Sequence, residues 1–211
     1  MVWNAIIKNL LHGISQGLLI PTIIILLILS AISIIVIGSL LAEILTERKL
    51  LKANIPQLLS ELHGKSMEEM SAFIQQSLIL KRQKQALLEL IKYRSLPAVE
   101  LEAIAKRLIA TEESHYEKII GRTDLISKIA PMFGLMGTLI PLGPGLLALG
   151  QGDTKTLSDS LLVAFDTTVA GLASAVVCYA VSKLRRRWYE DYMVSIESMM
   201  ECILEEAHPN V

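Results

Sequence analysis

SLLVAFDTTVAGLASAVVCYAVS, residues Ser160–Ser182, holds a single charged side chain, Asp166. The stretch is long enough to cross a bilayer, which takes roughly 20 apolar residues rising about 1.5 Å each. A carboxylate near the middle of a membrane costs at least about 2.5–3.5 kcal/mol on insertion scales. Such residues therefore face a bundle interior or a water path. Thr167 and Thr168 follow it directly. The constellation points to ion or proton movement through a helical bundle.

The rest of the chain agrees with a membrane setting. Of its 211 residues, 52% are hydrophobic and only 5% are aromatic, so the apolar content is aliphatic and gathered in blocks. Asn9 to Ala42 and Ile129 to Gly152 contain no Asp, Glu, Lys or Arg. The second of these fits one crossing. The first is too long for one, and the spanning part is read as Pro21–Ala42. The expected plan is an all-α membrane protein with three transmembrane helices and long cytoplasmic helical extensions. Its parts are an interfacial amphipathic segment (1–17, anchored by Trp3 and Lys8), helix 1 (18–42), a cytoplasmic helical domain (43–128), helix 2 (129–150), an external loop (151–159), helix 3 (160–182) and a cytoplasmic C-terminal helix and tail (183–211). A cleaved signal peptide fits poorly, because there is no basic n-region and the apolar stretch is too long.

Basic residues set the expected orientation. Arg48, Lys49 and Lys52 follow the first span; Lys118, Arg122 and Lys128 precede the second; Lys183, Arg185, Arg186 and Arg187 follow the third. The short loop between spans two and three holds only Lys155, beside Asp153 and Asp159. The positive-inside rule places the N-terminus outside and the C-terminus inside. Cys178 and Cys202 have neither disulfide nor metal spacing.

Residues 43–128 carry 14 basic and 12 acidic side chains, too balanced for a nucleic-acid surface. No phosphate-binding loop appears, so no cofactor is expected. Ser66-Met67-Glu68-Glu69 matches a capping box. Met67, Met70, Ile74, Leu78, Leu87, Leu88 and Ile91 form one apolar helical stripe, ended by Ser95-Leu96-Pro97. A second helix starts there and rises straight into span two, with Gly121 as its one soft spot. Trp188, Tyr192, Ile196, Met199, Met200 and Ile203 extend the third span as a helix to about residue 206. Glu112, Glu113, His115 and Glu117 contain one Glu-x-x-His, but a di-metal site needs a second copy and further carboxylates. A solvated charged face is expected, with no metal. His63, beside Gly64, reads as a helix end.

Small and polar residues mark the last two spans. Thr167/Thr168, Gly171, Ser174/Ala175, Cys178 and Ser182 recur at helical spacing and form one face of span three. Small residues let membrane helices approach closely. In span two, Gly143-Pro144-Gly145 is expected to loosen or kink the outer half. Asp166 lies about 200° round the helix from Thr168, so it need not share the threonine face.

Ala130–Thr138 reads APMFGLMGT and resembles the A-P-x-x-G-L-x-G-T segment of the MotA/TolQ/ExbB proton-channel family. Leu162–Leu172 reads LVAFDTTVAGL and resembles that family's A-L-x-x-T-x-x-G-L segment. The order of parts is similar to the three-span TolQ/ExbB branch. The resemblance implies a homo-oligomer, a pentamer, in the cytoplasmic (inner) membrane. It implies a single-span partner of the ExbD, TolR or MotB kind, whose helix carries an aspartate inside the pore. It assigns Thr138 and Thr168 to pore-lining positions and Gly134, Gly137 and Gly171 to close packing. Thr167, Asp166 and Ala175 join these as candidates by position. ExbB-like members often carry a glutamate where Val163 stands, and here the acid is Asp166.

The expected function is thus a proton-conducting subunit of a complex driven by an ion-motive force. A non-conducting scaffold that anchors a partner complex is the alternative. No nucleophile–base pair or metal triad suggests an enzyme.

Overall fold

The computed structural model describes residues 2–46, 61, 66–77 and 79–208. Among these, six helices follow in order: α1 (Val2–Gly17), α2 (Leu19–Thr46), α3 (Met67–Gln76), α4 (Lys81–Lys92), α5 (Ala98–Gly150) and α6 (Thr154–Ala207). The protein is all-α, and three of its helical segments are long and apolar enough to cross a membrane. Arg48, Lys49, Lys52, His63, Gly64 and Leu78, all used in the sequence reading, lie outside the described residues.

The chain divides into two compact units, Met1–Gly38 with Gly121–Lys183, and Ser39–Ile120 with Leu184–Val211. In the first unit α2 is apolar all round, as a spanning helix must be where lipid replaces water. α1 leaves Ile6, Leu10, Leu11 and Ile14 exposed. α5 and α6 pack antiparallel through small residues. A Cβ added at Gly171 would lie 2.7 Å from the Ala130 carbonyl oxygen and 2.9 Å from the Gly134 Cα. Such backbone contact gives close van der Waals packing where lipid supplies no hydrophobic drive between helices. α2 joins one side of this pair, with Leu29 packed beside Ala130 and Ala175.

Proline does not break α5. Pro131, Pro141 and Pro144 all lie inside it, and the helix continues to Gly150. The helix runs through Gly143-Pro144-Gly145 without interruption, and α6 packs against it at Gly145. At Gly145 a Cβ would sit 2.9 Å from the Ser160 Cβ and 3.4 Å from Leu157, so α6 braces this turn. The turn into α6 uses Gly152 at φ +83°, a conformation that glycine adopts at no steric cost. Asp153 then accepts from the Thr156 backbone N–H at 3.1 Å. The Thr156 hydroxyl and N–H hold the Asp153 carboxyl below its usual range.

The second unit has an apolar core. Met70 and Ile74 of α3, Leu87 and Leu90 of α4, Leu101 of α5, and Ile196, Met199, Met200 and Ile203 of α6 are all buried together. Ser66 caps α3 with the full reciprocal pair, its hydroxyl accepting from the Glu69 N–H while Glu69 accepts from the Ser66 N–H. The single helix expected across Met67–Ile91 is in fact two. Ser77 turns extended (φ −62°, ψ 152°), and its hydroxyl donates to the Ile74 carbonyl at 2.7 Å. Leu80 is extended as well. Extended backbone turns successive side chains to opposite sides, so the break sends Ile79 into the core with Met70 and Leu87 and Leu80 into a second cluster with Tyr116, Tyr189 and Tyr192. α4 also stops at Lys92, a turn before Pro97, because Tyr93 leaves the helical region (φ −92°, ψ 12°).

Ion pairs tie helices of this unit together. Arg82 donates to both oxygens of Glu112, at 3.0 and 2.9 Å, and that bond raises the Arg82 pKa. Arg185 donates to Glu43 at 2.9 Å and to the Ser39 hydroxyl at 3.0 Å, while the Tyr189 hydroxyl donates to the second Glu43 oxygen at 3.0 Å. The Arg185 and Glu43 side chains are only 10% and 12% exposed, whereas in the other pair Glu112 is 11% exposed and Arg82 is 45%. Removing one partner of a buried pair costs about 3–5 kcal/mol, and water at a half-exposed partner reduces that cost. Arg185→Ala is therefore expected to lower the thermal midpoint of the purified protein in detergent well below that of Arg82→Ala. Equal midpoints would contradict this ranking.

Cys202 is free and buried in the same core. Burial, then the charges of Glu206 and Glu205, push its thiol pKa up. The thiolate is the reactive form. Iodoacetamide at pH 8 should alkylate Cys202 far more slowly in the folded protein than in denaturant, and equal rates would show that this end of α6 is open.

Candidate functional site

The threonines of spans two and three do not share one environment. Thr167 is buried in the α5–α6 seam. A Cβ at Gly137 would lie 2.6 Å from the Thr167 Cβ, so the missing glycine side chain is the notch that Thr167 fills. Its hydroxyl donates back to the Val163 and Ala164 carbonyls, at 2.9 and 3.0 Å. Thr168 and Thr138 are half-buried. Their hydroxyls donate to their own helices, Thr168 to Ala164 at 3.0 Å and Thr138 to Leu135 at 2.7 Å. Each therefore keeps its oxygen lone pairs available to accept from water or a partner.

The seam fixes where these two side chains point. Gly134 faces Gly171, and Gly137 faces Thr167, which gives the antiparallel register of the pair. In that register Thr138 stands level with Thr167 and Thr168. Helical projection from the seam at 100° per residue turns Thr138 and Thr168 to the same side of the pair. α2 occupies the other side, where Leu29 and Ile25 pack with Ile126, Ile129 and Phe133. The Ser30 and Ser174 hydroxyls stand 3.1 Å apart there; Ser174 donates to the Ala170 carbonyl at 2.8 Å. Ser30 accordingly donates to Ser174 and links α2 to α6.

Asp166 is placed apart from the threonines. It is exposed, and projection puts it on the side opposite Thr168. Ala175 is buried in one apolar cluster with Ala130 and Leu29. Among the described residues no group of His, Cys, Asp or Glu is arranged to hold a metal ion. The charged face read at Glu112–Glu117 has a partner instead, since Glu112 is engaged by Arg82. The sequence reading missed the Glu43–Arg185–Tyr189 network. Its only signal was that Glu43 is the first acid after a long uncharged run and that Arg185 opens an Arg-rich run.

These features define a multi-pass helical membrane protein with a glycine-locked helix pair and two half-buried threonines at one level. The MotA/TolQ/ExbB proton channel family model matches residues 47–198, well over half of the chain. The chain belongs to that family. It is a family of transport and channel proteins associated with proton-driven energy transduction, not an enzyme family. A protein of Methanothermobacter thermautotrophicus, named by homology as an ExbB-type biopolymer transport protein, is 34% identical over 79 residues. That match covers 37% of this chain and 28% of the relative, so the chain aligns with little more than a quarter of it.

Proposed function

We propose that several copies of this chain surround a water-containing gap and that protons pass through it to drive a partner complex. Thr138 and Thr168 line the gap, and Gly134, Gly137, Gly171 and Thr167 hold the wall of each copy rigid. Five copies is the number the family resemblance implies. The single helices of an ExbD/TolR/MotB-like protein occupy the gap and supply the aspartate that carries the proton. The chain lies in the cytoplasmic membrane with its N-terminus outside and its C-terminus inside.

One observation carries this reading. The two half-buried threonines share a level and a side, and that side faces away from α2. Hydroxyls both donate and accept, so they can hold a water chain without a fixed charge. A proton falling through about 100 mV releases about 2.3 kcal/mol, and several per cycle can drive mechanical work.

The competing reading is a scaffold that anchors a partner complex and conducts nothing. Liposomes containing this chain and its single-span partner separate the two. Acid-driven proton uptake well above that of a Thr168→Ala control supports conduction. Equal uptake favours the scaffold.

A further inference from the structure

Asp166 lies neither in the seam nor on the side of the threonines. It is exposed on α6 beside Phe165 and Val169, which are 66% and 67% exposed. This stripe is the face of α6 turned away from its own α5. α5 has an outer face of its own, with Leu139 and Leu146 exposed. The α5–α6 pair is therefore a slab with two unlike apolar ends. Head-to-tail copies that close into a ring place one end against the other.

Four facts bear on what meets Asp166 there. The seam register puts it level with Leu139 and about one turn from Gly143. Gly143 is exposed, and a Cβ built on it would meet nothing within 4 Å, so it leaves an open notch between Leu139 and Leu146. Pro141 and Pro144 lack N–H groups, so the carbonyls of α5 at this depth are short of two donors. No Lys or Arg stands in any of the three long apolar runs to pair with the carboxylate.

The geometry points to Asp166 as a contact between copies: its carboxyl seats against the Leu139–Gly143 turn of the next copy. In its acid form it donates one hydrogen bond to a backbone carbonyl of that turn. Acyl chains offer no such acceptor at this depth. The assignment rests on the multi-copy pore proposed above, and it moves Asp166 from the gap into the wall between subunits.

The test is disulfide trapping in native membranes. Asp166→Cys and Gly143→Cys are combined in one chain in a Cys178→Ala, Cys202→Ala background, with Leu139→Cys replacing Gly143→Cys in a second construction. Mild oxidation should give a ladder of covalent multimers from at least one pair, and none from any single cysteine. Monomers alone from both pairs would overturn the assignment. A cross-link from Asp166→Cys to the single-span partner's helix would also overturn it, because that places the residue on the axis. Proton uptake by vesicles of the unsubstituted protein identifies which idea has failed. If uptake still depends on Thr168, only the contact between copies is wrong; if it does not, the pore is wrong too.

Discussion

Gly171→Leu should leave no correctly packed α5–α6 pair. Even the first added carbon meets backbone on two sides, the Ala130 carbonyl oxygen at 2.7 Å and the Gly134 Cα at 2.9 Å. Backbone atoms cannot rotate out of the way as a side-chain end can. The helices must separate, which removes the contacts that hold them together in lipid. Overpacking a core costs about 1–3 kcal/mol where neighbours can give, and here they cannot. The substituted protein should be degraded or run as an aggregate on size exclusion, and Gly171→Ala should show the same defect in weaker form. Gly121→Ala is the control. A Cβ there meets nothing within 4 Å. Alanine also favours a helix by about 1 kcal/mol over glycine, so this variant should be at least as stable as the parent. A Gly171→Leu protein that elutes and melts like the parent would show that the seam is not closed.

The second large effect is on conduction. Thr138→Val combined with Thr168→Val keeps side-chain shape and removes both hydroxyls. The protein should fold and assemble, because neither hydroxyl bonds outside its own helix. Proton uptake into liposomes with the partner should fall at least about tenfold, equivalent to ~1.4 kcal/mol on the barrier. Thr167→Val should act differently. Its hydroxyl is closed into the seam and bonds only to Val163 and Ala164, so uptake should stay near the parent level. Equal losses from Thr167→Val and from the double substitution would mean that the sealed threonine, not the outward pair, carries the water.

Three spans were legible in the sequence because they depend only on composition and length. The long runs without charge at Asn9–Ala42 and Ile129–Gly152 leave no other reading for a helix in lipid. The extension of α6 to Ala207 was legible for a related reason, since Tyr192, Ile196, Met199 and Ile203 repeat at the helical period without a Gly or Pro. The break between α3 and α4 was not. Nothing at Ser77–Leu80 is a helix breaker, and the helix is interrupted there where tertiary packing takes Ile79 and Leu80 into two separate apolar clusters. Glu43 and Arg185 stand 142 residues apart, and no periodicity brings them together.

The site was legible as a set of residues rather than as an arrangement. Thr167 and Thr168 are adjacent and chemically identical, and only the notch at Gly137 on another helix decides that Thr167 is the one sealed. Asp166 stood out by its cost in a membrane, yet its direction depends on which face of α6 meets α5. That face becomes known once Gly134 and Gly171 are seen in contact.

Cysteine accessibility bears most directly on the wet gap. Thr168→Cys and Thr138→Cys, in membranes and without the native cysteines, are treated with a charged, membrane-impermeant thiol reagent, and Val169→Cys, on the face of α6 turned away from α5 and from the gap, serves as the comparison. Both threonine positions should react in the assembled protein, Val169→Cys should not, and adding the single-span partner should slow the two reactions. Unreactive cysteines at positions 138 and 168, beside a protein that remains fully assembled, would mean that those side chains meet lipid or packed protein and that no water-filled path runs past them.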